Sequence, residues 1–147
     1  MVLVCVFCPA AYGQPWDGNG VEGDPYQIWT GEQMNSIGLY PNRWSKSYKL
    51  MADISLSAYS GWNYNRIGIS GDLYKGAGPF KGTFDGDYHS ISDFSCFATA
   101  AYLNAYIGLF GYVYDGTIKN LKVIAGKKNL INLSLSVIKT KWRRKIV

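Results

Sequence analysis

Phe80-Lys-Gly-Thr-Phe-Asp-Gly-Asp-Tyr-His-Ser-Ile-Ser-Asp-Phe94 and Ile107-Gly-Leu-Phe-Gly-Tyr-Val-Tyr-Asp-Gly-Thr-Ile-Lys-Asn-Leu-Lys-Val123 are two versions of one pattern. Each opens with an apolar, Gly-interrupted strand, passes through an Asp-Gly turn and closes with a second short strand. Asp85-Gly86 and Asp115-Gly116 stand thirty residues apart, and Ile91-x-x-Phe94 is matched by Ile118-x-x-Leu121. Recurrence at such a period is the mark of stacked solenoid coils, because one coil cannot bury its own apolar face. Leu109, Phe110, Ile118 and Leu121 are the residues expected to point into the coil or its seams.

The rest of the composition agrees with an all-β domain. Aromatics make up 16% of the chain and include twelve tyrosines, whose flat rings pack well on a pleated surface. Seventeen glycines mark the places where such strands turn or approach another backbone closely. At 147 residues the chain is long enough for one domain with a real core.

The net charge of +5 is unevenly placed. Residues 1–126 carry eight Lys/Arg against ten Asp/Glu, a balance of −2, while residues 127–147 carry seven Lys/Arg and no acid. The body is therefore mildly acidic and the tail basic, which reads as a solvated end before it reads as a ligand site.

Three segments follow. Residues 1–13 read as the remnant of a signal peptide: an apolar run from Val2 to Cys8, then Ala11 and Gly13 at the small-residue positions before a cut at Gln14. Residues 14–126 read as the solenoid domain. Residues 127–147 read as a basic segment in which Leu130–Ile138 partly alternates like one further strand, followed by a tail. Cys5-x-x-Cys8 lacks the second pair that a zinc site needs, and Cys96 reads as a small buried apolar residue.

Within the domain, Pro25–Trp29 is a strand candidate. Thr30-Gly-Glu-Gln33 is a capping box that starts a short helix running through Met34 and Ile37 and stopping before Pro41. A helix among strands suits the end of a solenoid, where an open edge has to be hidden. Trp44–Leu50 and Ile54–Leu56 read as strands.

Candidate ligand groups are few. Asp17, Asn19, Glu22 and Asp24 offer oxygen ligands of the kind calcium takes, although turn chemistry accounts for the same residues. No other cofactor is expected. Trp62 and Tyr64, set among Asn and Gly, are candidates for stacking on sugars, against the alternative that their rings pack over the coil ends. His89, the only histidine, has no nucleophile signature beside it.

The ordered set Phe84-Asp85-Gly86-Asp87-Tyr88-His89-Ser90-Ile91, Gly108-Leu109-Phe110-Gly111 and Asp115-Gly116-Thr117-Ile118-Lys119-Asn120-Leu121 resembles the GLUG motif of bacterial secreted and cell-surface proteins. Asp24-Pro25-Tyr26-Gln27-Ile28 with the Glu32-Gln33-Met34 helix also looks like the opening of such proteins, so the resemblance covers roughly residues 20–124. It implies a right-handed parallel β-helix or a related solenoid, with no catalytic residues to carry over. Asp87-Tyr88 stands where the motif has Asn-Gly, which makes a tight primed turn less assured there. Only one full GLUG unit is present, as in the N-terminal cap and first coils of a longer protein.

The function expected is that of a non-enzymatic, exported, adhesin-like module at the cell surface. Its partner would be an extracellular polysaccharide or a surface protein, with no specific nucleic acid and no transmembrane helix in the mature chain. The alternatives are a polysaccharide-binding module using Trp62 and Tyr64, or a polysaccharide-active β-helix enzyme. For the last, Asp85, Asp87 and Asp93 are the only local acid cluster, and turn roles explain them.

Overall fold

The computed structural model describes residues 14–59, 61–69, 78–95 and 108–125. The signal-like segment, the three cysteines and the basic segment lie outside them. Among the described residues, seven short strands and one α-helix, with short 3₁₀ turns between them, make up the regular structure: β1 (Tyr26–Ile28), α1 (Gly31–Ser36), β2 (Ser47–Leu50), β3 (Ile54–Ser55), β4 (Thr83–Asp85), β5 (Ser90–Phe94), β6 (Thr117–Lys119) and β7 (Lys122–Ala125).

The strands form two sheets, ordered β1-β2-β4-β6 and β3-β5-β7, and every strand pair is parallel. Parallel bridges Ile67–Phe110 and Phe80–Val113 continue the same stacking between the sheets. Alternation along each strand decides what is buried. In the first sheet Tyr26, Tyr48, Phe84 and Ile118 align in one inward row, and Ile28 aligns with Leu50. In the second, Ile54, Ile91 and Val123 align. A slip of one residue would turn each row out to solvent, so the apolar pattern holds the register.

That register differs from the thirty-residue match of the two Asp-Gly pairs. Phe84 pairs with Ile118, thirty-four positions on, and Ile91 pairs with Val123 rather than aligning with Ile118. Gly116-Thr117-Ile118-Lys119 therefore stands beside Gly82-Thr83-Phe84-Asp85, with Thr117 N–H donating to Gly82 O. Asp115-Gly116 leads into β6, whereas Asp85-Gly86 leads out of β4. The turn beside Gly86 is Asn120-Leu121, and a Cβ on Gly86 would collide with the Asn120 carbonyl and the Leu121 backbone. The physical reason is that Asp-Gly favours a bend at either end of a strand, whereas the inward row of large apolar side chains admits one alignment.

The core is an aromatic stack running across the first sheet. Trp16 packs on Tyr26 and Tyr48, with ring centroids 5.2 and 5.6 Å apart. Tyr48 lies 6.4 Å from Phe84, and Phe84 lies 5.3 Å from Phe110. All five rings are buried. Leu109 and Phe110 are interior as the sequence leads one to expect, but Ile118 and Leu121 are only partly buried. They belong to the last described strand of each sheet or the turn between, where no described strand lies on the outer side.

The first strand is covered. Thr30 Oγ1 accepts from Gln33 N–H, and the Gln33 side chain reaches back to Trp29 N–H, one residue before the N-cap. The α-helix ends at Ser36, and tight 3₁₀ turns at Ile37–Leu39 and Pro41–Arg43 carry the chain to β2, so Trp44 precedes the strand rather than starting it. Met34, Ile37 and Trp44 seal this end, and Trp16 donates its indole N–H to Gln33 O. Asp17 accepts an antiparallel backbone bond from Gln27, which covers part of the β1 edge. Among the described residues, no helix is long and apolar enough to cross a membrane.

Candidate binding surface

The alternation that sends Tyr48 and Phe84 inward sends Gln27, Lys49, Asp85 and Lys119 outward, in register as one polar row. The row ends where each chain segment turns from the first sheet to the second, so these turns stack as well. Asp53 lies in the first such turn, Gly86–His89 in the second and Asn120-Leu121 in the third.

The middle turn is the most constrained. Asp87 and Tyr88 both have positive φ, 46° and 66°, and His89 N–H donates to Gly86 O at 2.8 Å. This is the primed turn that Asn-Gly would form with ease, made here by Asp-Tyr. Three contacts force it. Asp85 Oδ1 accepts from Asp87 N–H at 3.0 Å, while Gly86 N–H and Tyr88 N–H donate to the carbonyls of Lys119 and Asn120 in the neighbouring turn.

Side-chain charge is paired around it. Asp85 Oδ2 lies 3.1 Å from Lys119 Nζ, and its Oδ1 also accepts from the Asn120 amide. Lys49 Nζ lies 3.0 Å from Asp87 Oδ2. Asp53 Oδ1 accepts from Ser90 N–H at 2.7 Å and lies 3.4 Å from His89 Nδ1. The Ser90 N–H, ahead of His89, holds the Asp53 carboxyl below the usual range. For Asp85, partial burial pushes the other way, but Asp87 N–H, the Asn120 amide and Lys119 together outweigh it and lower its pKa. In the core, burial raises the Tyr48 hydroxyl, with Tyr26 adding to the effect and Arg43 opposing it.

The ring of Tyr88 stands at the apex of this turn, 84% exposed. Asp87-Tyr88 in place of Asn-Gly makes a primed turn less assured by sequence, yet the turn forms and leaves this ring in solvent.

The sugar-stacking candidates fare differently. Tyr64 is buried: its ring packs edge-on against Phe94 at 5.1 Å and its hydroxyl donates to Leu109 O. It has no open face for a sugar and belongs to the core, because the apolar ring gains more from burial than from display. Trp62 falls in a short 3₁₀ turn, Gly61–Asn63, and its side chain lies outside the described part.

Asn19 and Asp24 come together in a tight loop, where Asn19 Nδ2 donates to Asp24 Oδ2 at 2.6 Å and the Asn19 and Val21 N–H groups donate to Asp24 O, while Asp17 contributes its carbonyl to Gln27 N–H. Among the described residues, no group of three or more His, Cys, Asp or Glu side chains converges as metal ligands would. Asp93, at φ 57°, accepts from the Ser55 and Ser92 hydroxyls on the second sheet, away from Asp85 and Asp87.

Compared with known proteins, the chain is 32% identical over 109 residues to halomucin from Haloquadratum walsbyi. The match takes in 71% of this chain and 1% of halomucin, so the chain spans a very small part of that protein's length. No family profile and no solved structure matches it.

Proposed function

We propose that this chain is a piece of an exported, surface-associated protein, in which it forms the capped start of a right-handed parallel β-helix of the GLUG-repeat kind. It acts by presenting a surface rather than by catalysis. The observation that carries the reading is the likeness to halomucin, which supports a surface-associated or secreted setting. The parallel stacking of both sheets, the covered first strand and the aromatic row across successive strands support the solenoid. The carboxylates that a polysaccharide-cleaving enzyme would need lend that alternative little support. Asp85 and Asp87 are held by Lys119 and Lys49, and Asp93 by two serines on the other sheet.

The test is export. Expressed in full in a bacterial host, the chain should leave the cytoplasm and lose residues 1–13, which intact-mass spectrometry of the cell fractions reads directly. A product confined to the cytoplasm and still carrying Met1 would refute it.

A further inference from the structure

We propose that the Gly86–His89 turn is a carbohydrate-binding site, with Tyr88 as its stacking platform. The first observation is cost without structural return. A non-glycine residue in the left-handed region is strained, and two in succession cost more, so such turns normally carry Asn-Gly. Tyr88 accepts φ 66° with its ring 84% exposed, burying almost nothing. A large ring held in strain and left in solvent is better explained by what it meets than by the fold.

The second observation is what surrounds the turn. Asp87 with Lys49 on one side, His89 with Asp53 on the other, and the Asn120 amide in the next turn are hydrogen-bonding groups anchored by the stacked backbone. Among the described residues, the other large exposed apolar side chains are Val21, Trp29, Leu39 and Ile124, none of them in this turn. A protein partner would call for a contiguous apolar centre ringed by polar groups. A pyranose instead offers one C–H face of about the area of a single ring, with hydroxyls at its edge. One exposed aromatic on a backbone-held turn, among carboxylate, amide and ammonium groups, fits that chemistry. Turns stacked about 4.8 Å apart set Asp53, Asp87 and Asn120 from three successive turns side by side, which suits an oligosaccharide lying across them.

This names a ligand class for the surface module proposed above and rests on that reading only for where the ligand is met. Export is read by fractionation and binding on purified protein, so either can fail alone. The experiment uses the full chain, its Tyr88→Phe variant and its Tyr88→Gly variant. Urea midpoints are measured together with backbone-amide chemical shifts on addition of chitohexaose, cellohexaose, laminarihexaose or a heparin hexasaccharide. At least one sugar should move the resonances of residues 86–89. Tyr88→Phe should keep most of that binding, while Tyr88→Gly should weaken it by about tenfold or more and leave the urea midpoint equal or higher. Four outcomes overturn the proposal. They are no shift with any of the four sugars, undiminished binding by Tyr88→Gly, a lowered midpoint in Tyr88→Gly, and self-association by sedimentation that this variant abolishes. The third would make the ring structural, and the last would make the turn a contact between copies.

Discussion

Truncating Phe84 to Ala tests the aromatic row where it is deepest. Phe84 is fully buried between Tyr48 on one strand and Phe110 on the far side of the core, and its row-mate Ile118 is only partly buried. Phe-to-Ala changes in cores cost about 3–5 kcal/mol, and sites whose walls cannot collapse fall at the upper end. Rigid rings on both sides place Phe84 there, at about 4–5 kcal/mol. Ile118→Ala removes less and leaves a void open to solvent, so about 1–2 kcal/mol is expected. With a urea slope of about 2 kcal/mol per molar, the first change lowers the midpoint by about 2 M and the second by under 1 M. Against a domain stability of about 5–15 kcal/mol, that loss leaves a marginal protein whose transition is shifted far toward zero urea. Tyrosine and tryptophan fluorescence during urea unfolding reads both. Equal shifts for the two variants would refute the inward row and the graded burial along it.

Two further outcomes follow from the cap and the turn stack. Thr30→Ala removes the acceptor for Gln33 N–H at the start of a six-residue helix and should cost about 1 kcal/mol, read as a drop in the thermal midpoint. Asp53 and Asp85 have folded pKa values below their unfolded ones. Their contribution is present above the unfolded value, near pH 3.9, and is lost as pH falls through the lower folded values. Urea midpoints should therefore decline as the pH falls below about 4, and Asp85→Asn should lower the midpoint at pH 7 while making that decline shallower. A decline as steep as the parent's in Asp85→Asn would remove Asp85 from the account.

Much of the β architecture was written in local sequence, because its signals are local. The Thr30-x-x-Gln33 box names a helix start through hydrogen bonds spanning three and four residues. The alternation in Tyr26–Ile28, Ser47–Leu50 and Ile54–Ser55 states which side of each strand is apolar. Recurrence of Gly-interrupted apolar segments announces stacking, since each needs a neighbour to cover it.

What sequence alone could not decide is which residue lies beside which. Asp85-Gly86 and Asp115-Gly116 look equivalent as letters, yet they sit at opposite ends of their strands. Register is chosen by how whole rows of large side chains fit together, a sum over contacts far apart in the chain. The same sum draws Tyr64 inward against Phe94 and Leu109, although its neighbours in sequence are polar. It also decides where the middle turn stands: Asp85, Lys119 and Asn120 hold it, and Tyr88 lies at its exposed apex. Sequence determined which residues make strands, turns and a cap. Tertiary packing determined their alignment, and through it which of the described aromatic rings are core and which, like Tyr88, face the solvent.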